Sequence, residues 1–188
     1  MSRPQVILAS GSPQRREILE RLGLDFEVRV SGVEELVEGD PAGVVLENAL
    51  LKAQAVAGSD GGSLVIGCDT DVVLEGRVIG KPETTGEARD YLERLSGRTH
   101  EVLSGLALLG PEPGQVRSGV ARSTVRFREL PDPDIDRYLA SGEWQGRAGG
   151  YAIQGRGSAL VAGVDGDISN VIGLPVRLLL DLAPELDL

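Results

Sequence analysis

The chain has 188 residues, enough for one domain with a substantial core. Lys and Arg number 19 against 29 Asp and Glu, a formal net charge of −10, which argues against non-specific binding of nucleic acid or anionic membrane. Aromatic residues make up 3 %, too few for the stacking platforms of single-strand binders, and the one cysteine, Cys68, excludes a disulfide framework and a thiolate metal site. There is no signal-peptide pattern at the N-terminus and no apolar run long enough to span a bilayer, so the expectation is a cytoplasmic chain with no membrane partner.

The first unit is the run Val6-Ile7-Leu8-Ala9-Ser10-Gly11-Ser12-Pro13-Gln14-Arg15-Arg16. It reads as a buried strand, a small-residue turn and a helix with Ser12 at the N-cap and Pro13 in the first turn. Ile18, Leu19 and Leu22 follow at helical spacing and Gly23 ends the run. Such a turn aims backbone N–H groups and a positive dipole end at an anion. Arg15 and Arg16 oppose that dipole, which an anion between them would explain. The residues alone leave open an ordinary strand–turn–helix, because neither G-x-x-x-x-G-K-[ST] nor G-x-G-x-x-G is present.

Residues 26–30 alternate as a second strand, and a carboxylate pair, Glu34 and Glu35, follows it. Asp40-Pro41 opens a helix to about Ala57, with Leu46, Ala49, Leu50, Ala53 and Ala57 expected on its buried face. Lys52 flanks that face, and a lysine so placed either snorkels to water or serves a site. Residues 63–70 are apolar and β-branched, as for a strand buried on both faces, and Asp69 and Thr70 are expected at its carboxyl end. A buried thiol is the expected state of Cys68. A hairpin turning at Glu75-Gly76 hands the chain to Gly80-Lys81-Pro82.

Thr84-Thr85-Gly86-Glu87 is a capping box that opens a helix to about Leu95. Strands are expected over residues 100–109 and 116–127, with a turn at 111–114 between them, and a short helix over 132–140. His100 is the only histidine, so no Ser/His chemistry can be built, and a structural role is expected for it. Residues 146–157 hold five glycines in twelve positions, suited to a loop whose backbone approaches a ligand. A strand over 159–164, a turn at Asp165-Gly166 and a helix over 175–182 complete the pattern. Helices alternating with strands, one hairpin and long later strands indicate an α/β fold with a mixed sheet in a single domain, 1–188.

Six blocks carry a resemblance. Leu8-Ala9-Ser10-Gly11-Ser12-Pro13 with Arg15-Arg16, Gly67-Cys68-Asp69-Thr70, Gly80-Lys81-Pro82, Gly97-Arg98-Thr99-His100, Gly149-Gly150-Tyr151-Ala152-Ile153-Gln154-Gly155 and Asn170-Val171-Ile172-Gly173-Leu174-Pro175 together resemble the Maf family, in order and spacing, over nearly the whole chain. The resemblance implies an elongated mixed sheet flanked by helices, of the Maf/inosine-triphosphatase type, with two lobes around a central cleft. It implies a nucleoside triphosphate pyrophosphatase using Mg²⁺ or Mn²⁺, cytoplasmic and homodimeric. Carried over by motif position, Asp69, Glu35, Lys52 and Lys81 are catalytic, with Asp69 and Glu35 as metal ligands, and Ser10, Ser12 and Arg15 bind phosphate. Asp69 is the implied general base, and Glu34 beside Glu35 leaves room for a one-residue slip.

Three positions tied to base choice in the family branch selective for dTTP and UTP correspond to Gln14, Thr70 and Gln154. Thr70 and Gln154 match that branch, and Gln14 departs from its usual Arg. The expectation is a pyrimidine preference with relaxed selectivity. The rival reading from another class is a nucleotide-sensing protein that acts on septum formation without turnover; the set of Glu35, Lys52, Asp69 and Lys81 speaks against it.

Overall fold

In the computed structural model, which describes residues 5–57, 62–112 and 114–186, the apolar runs form one seven-stranded mixed sheet. The elements in chain order are β1 (Gln5–Leu8), α1 (Pro13–Arg21), β2 (Phe26–Val28), α2 (Pro41–Val56), β3 (Ser63–Leu74), β4 (Arg77–Ile79) and α3 (Thr85–Leu95). They continue with β5 (Thr99–Leu109), β6 (Val116–Phe127), α4 (Asp132–Leu139), β7 (Val161–Asp165), α5 (Ile168–Ile172) and α6 (Val176–Leu182). The sheet order is β2-β1-β3-β5-β6-β7, with β4 paired to β3. β2, β1 and β3 run parallel, and the remaining pairs are antiparallel.

Pairing along β3 creates the opening in the molecule. One edge of β3 is paired with β5 from Val65 to Val73. On the other edge, β1 accompanies β3 to Ile66, where the Ala9 N–H donates to the Ile66 carbonyl at 2.8 Å, and β4 joins only at Val72. Residues 67–71 therefore keep an edge that no described strand covers. Two apolar cores flank this gap. One gathers Leu8, Leu19, Ile66, Leu106 and Leu179, the other Leu92, Val102, Phe127, Ile135 and Tyr151.

Helix α2 lies close against one face because two glycines permit it. A Cβ on Gly67 would run into the Ala49 carbonyl oxygen, and one on Gly105 into that of Val45. The α5–α6 segment covers the other face, where Leu178 packs over Gly119. The β3–β4 turn places Glu75 and Gly76 at φ 52° and 76°, the left-handed pair that matches hairpin twist. The expected caps hold at Asp40, which accepts from the Gly43 N–H, and at Thr84, which accepts from the Glu87 N–H.

Several expectations need correction. β2 ends at Val28 as the chain turns toward the cleft, although the Arg29 N–H still reaches the Leu8 carbonyl at 3.0 Å. The buried face of α2 is Val44, Val45, Asn48, Ala49, Lys52 and Ala53; Leu46 and Leu50 are half-buried and Ala57 is exposed beyond the helix. The two glycines draw the helix in on the Val45–Ala49 side, which rotates the face. Asp69 and Thr70 stand in the middle of β3, which continues to Leu74. Residues 148–150 and 155–160 of the glycine-rich stretch form 3-10 turns, so β7 begins only at Val161. Helix α5, capped by Asp167, carries no apolar periodicity of helical length and was not anticipated. Pro113, part of the expected turn at 111–114, lies outside the described residues.

Candidate active site

The floor of the gap is one ionic assembly between β3 and α2. Asp69 is 6 % exposed and points at α2, where Asn48 and Lys52 stand one helical turn apart. The Lys52 Nζ lies 2.6 Å from Asp69 Oδ1 and 2.6 Å from Glu35 Oε1. Lys52 is itself 7 % exposed, so it does not snorkel to water; its ammonium is enclosed between two carboxylates. Asn48 donates to Asp69 Oδ2 at 3.0 Å. Burial alone would raise the Asp69 pKa, but the charge and hydrogen bond of Lys52, the Asn48 amide and the charge of Arg15 hold it below the usual carboxylate value. Asp71, two residues along the same strand face, behaves oppositely. Burial, then the charges of Asp69 and Glu35, push its pKa up to about 6.

The wall above Asp69 is built by Arg15. This side chain turns inward from the first turn of α1: its Nε donates to the Gly173 carbonyl at 2.8 Å, Nη1 to Ser10 Oγ at 2.9 Å and Nη2 to Thr70 Oγ1 at 3.2 Å. The Thr70 hydroxyl also lies 2.8 Å from that of Ser104. Ser10 Oγ accepts from the Ser12 N–H at 3.3 Å, and Ser12 Oγ donates to Gln14 Oε1 at 3.1 Å instead of capping the helix. Arg16 pairs with Glu20 on the surface at 2.7 Å, so no anion between the two arginines is needed to explain them. Cys68 is fully buried, and burial raises its thiol pKa.

The opposite wall is the stretch 146–157. The Gly149 N–H donates to the Gly80 carbonyl at 2.9 Å, which joins this stretch to the segment carrying Lys81. Gly149 and Gly150 have φ near +69°, and Val72 leaves little room for a side chain at Gly149. The Ala152 N–H donates to the Tyr138 hydroxyl at 2.9 Å, and the N–H groups of Arg156 and Gly157 donate to Glu143 at 3.1 and 3.2 Å. Gln154 is therefore presented from a backbone held on both sides. His100 is structural, as expected, with Nε2 2.8 Å from the Tyr151 hydroxyl.

Together these walls enclose a cleft of about 390 Å³, and it is lined by Ser10, Ser12, Gln14, Arg15, Glu35, Lys52, Asp69, Thr70, Lys81 and Gln154. The ten residues carried over by motif position thus line one space, and Arg16 and Glu34 do not line it. Sequence reasoning missed Asn48, although its i,i+4 spacing to Lys52 was visible, and Asp71, although it shares a strand face with Asp69. It also missed Arg147, a further cation on the cleft wall, and the Gly173 carbonyl, which takes the Arg15 Nε–H and the Cys68 thiol hydrogen.

A mixed α/β sheet interrupted along one strand, with an ionised buried acid, enclosed cations and hydroxyls around one cleft, defines an α/β protein built to receive a polyanion. Comparison with known proteins narrows this. A family model described as Maf-like protein matches residues 5–186. The chain is 47 % identical over 180 residues to the dTTP/UTP pyrophosphatase of Deinococcus radiodurans, covering 95 % of this chain and 91 % of that protein. It is 48 % identical to the protein of the same name from Moorella thermoacetica and 42 % to that of Dictyoglomus thermophilum, in each case over 92 % of this chain and at least 90 % of the relative. The chain belongs to the Maf family.

Proposed function

We propose that this protein is a nucleoside triphosphate pyrophosphatase that hydrolyses dTTP and UTP to the monophosphate and pyrophosphate. The observation that carries the reading is Asp69. It is buried on the floor of the cleft and is held ionised by Lys52 and Asn48, within a space whose walls bring Ser10, Ser12, Arg15 and Lys81 toward a polyphosphate. The names of the relatives supply the reaction and the bases.

Each residue has a distinct task. Ser10 donates its hydroxyl hydrogen to a phosphate oxygen, Ser12 does so by giving up its bond to Gln14 Oε1, and Arg15, Lys81 and Arg147 balance the charge that grows on the departing pyrophosphate. Asp69 orients the attacking water and takes its proton, and Lys52 keeps that carboxylate ionised until it does so. Thr70 acts indirectly, through the hydrogen bonds that hold Arg15. Gln154 offers an amide donor and acceptor to a pyrimidine edge. Gln14, bound to Ser12 Oγ and carrying no charge at the position where the resemblance implies Arg, leaves the pocket less cationic and its selectivity relaxed.

The donor set fits a divalent metal. Among the described residues no group of three or more His, Cys, Asp or Glu side chains forms a preformed cage. Mg²⁺ and Mn²⁺ in phosphate sites need only one or two carboxylates, because water and substrate supply the rest. Asp69 and Glu35, already drawn to one cation at Lys52, are the two that would hold it. The metal would neutralise phosphate charge and lower the pKa of water. The protein is further proposed to be a cytoplasmic homodimer; among the described residues no helix is long and apolar enough to cross a membrane.

Product analysis with Mg²⁺ or Mn²⁺ across dTTP, UTP, CTP, GTP and ATP tests the reading. Thymidine or uridine monophosphate plus pyrophosphate is expected, and Asp69→Asn is expected to abolish turnover while the melting curve stays cooperative. Diphosphate plus orthophosphate would place the attack on the wrong phosphorus. Binding without turnover would transfer the weight to a nucleotide sensor, and a folded, active Asp69→Asn protein would remove the mechanism.

A further inference from the structure

Asn48 takes part in nothing that the sequence blocks assign, yet it is 1 % exposed and sits against the floor of the cleft. Its amide has one acceptor oxygen and two donor hydrogens. The Leu36 N–H donates to Oδ1 at 2.8 Å, and Nδ2 donates back to the Leu36 carbonyl at 3.0 Å. This reciprocal pair fixes which end of the amide is oxygen, because a flip would set donor against donor and acceptor against acceptor. The second Nδ2 hydrogen is then committed to Asp69 Oδ2 at 3.0 Å.

The consequence is a closed ring. Leu36 neighbours Glu35, Glu35 meets Lys52, Lys52 meets Asp69, and Asp69 returns to Asn48. Among the described residues, the Glu35–Lys52 ion pair and the Leu36–Asn48 hydrogen bonds hold the segment between β2 and α2 against the floor. Residues 34–40 are exposed, with Leu36 at 46 % and Val37 at 83 %, so apolar burial does not fasten the backbone there. Space filling does not explain the residue either, since leucine would fill the position without any polar partner to satisfy. An amide is needed only if both ends of the ring must be held.

We propose that Asn48 is a positioning residue that couples the placement of the Glu35 segment to the orientation of the Asp69 carboxylate. It holds the proposed base directly, through Asp69 Oδ2, and does not line the cleft that would take the substrate. Its kinetic consequence rests on the pyrophosphatase reading; its structural consequence does not.

The test uses the full chain as wild type, Asn48→Leu, Asn48→Asp and Asn48→Ser, with dTTP and Mg²⁺ for kinetics and amide exchange of residues 30–38 without nucleotide. The leucine variant is expected to lose about 10- to 100-fold in kcat with KM within about threefold, the usual range when an orienting partner is removed. The aspartate variant, nearest in shape, is expected to lose at least as much, because a carboxylate donates to neither Asp69 nor the Leu36 carbonyl. Exchange at Leu36 is expected to quicken about tenfold or more in the leucine variant. The serine variant carries both measurements if either of the others melts below the assay temperature. Wild-type kcat and unchanged exchange in the variants would overturn the proposal, and so would an aspartate variant milder than leucine, which would reduce the role to volume. A wild-type protein inactive on dTTP would instead sink the function, and the exchange data would then decide the coupling alone.

Discussion

Acid is expected to destabilise the fold through His100, which packs in the core behind the cleft. The ring is 2 % exposed and meets Phe127 and Tyr151 edge to face, with centroids 5.1 and 5.4 Å away. Burial lowers its pKa from 6.5 to about 4. Because the folded value lies below the unfolded one, the unfolded chain takes up the proton first. Stability from this group is therefore complete above pH 6.5, falls as pH drops from 6.5 to 4, and is constant below. A shift of this size corresponds to about 3 kcal/mol at about 1.36 kcal/mol per pH unit. Asp71 works the other way: its value is pushed up to about 6 by burial, Asp69 and Glu35, so its penalty at neutral pH is relieved by acid. The wild-type curve alone mixes the two. His100→Gln separates them, since it leaves the Tyr151 hydroxyl a partner and carries no charge, and His100 is the only histidine. Urea unfolding of both proteins at pH 7.5, 6, 5 and 4 should show the wild-type advantage shrinking by about 3 kcal/mol toward pH 4. A difference that stays flat with pH would mean that the folded lobe accepts the imidazolium without cost, and the reasoning from burial would fail.

Two further outcomes follow from the floor of the cleft. Lys52→Met is expected to lower unfolding free energy by about 3 kcal/mol at neutral pH, since it strands the buried Asp69 charge, and adding Asp69→Asn should restore most of that loss; urea midpoints decide it, and a double variant no more stable than the single one would contradict the account. Gly67→Ala is expected to cost about 3 kcal/mol or more, because the new methyl meets the Ala49 backbone oxygen, which no rotamer change can move; thermal melting checks it, and a near-wild-type melting temperature would mean that α2 can slide off the sheet.

Periodicity made most of the framework legible. β6 runs over the expected residues 116–127, and the Glu75-Gly76 hairpin and the Thr84 cap stand where turn and cap chemistry put them. Local pattern failed where tertiary contact decides. The apolar residues of α2 are spread too evenly to choose a face, and the choice comes from two glycines on strands that are distant in sequence. The five-residue helix α5 has one turn of pattern to offer and depends on Asp167 and on Asn170, which reaches the Val102 carbonyl at 3.0 Å. The site residues were gathered by motif resemblance, but what holds them was hidden. Arg15 reads as a phosphate ligand in sequence, but the contacts that aim its guanidinium come from Ser10, Thr70 and Gly173, partners 5, 55 and 158 residues away.

The position of Asp69 within β3, rather than at its end, bears on how the cleft works. A residue at a strand terminus inherits the freedom of the loop that follows. Asp69 is instead paired with Gly105 in the middle of a continuous β3–β5 ladder, and its side chain is held from α2 by Lys52 and Asn48. The proposed base is thus held by a continuous strand ladder on its backbone and by α2 on its side chain. The group proposed to read the base, Gln154, lies elsewhere, on a glycine-rich segment, and Glu35, proposed to hold the metal with Asp69, lies on an exposed one. Adjustment to different bases must fall on those segments, and the chemistry stays where it is only if their ties to the floor survive the adjustment. The Asn48 and Lys52 contacts on the Glu35 side, and the Gly80–Gly149 hydrogen bond on the other, are the ties available for that. If base choice is relaxed, as proposed, it is compatible with a fixed hydrolytic centre, because Gln154 and Asp69 stand on different elements around the one cleft.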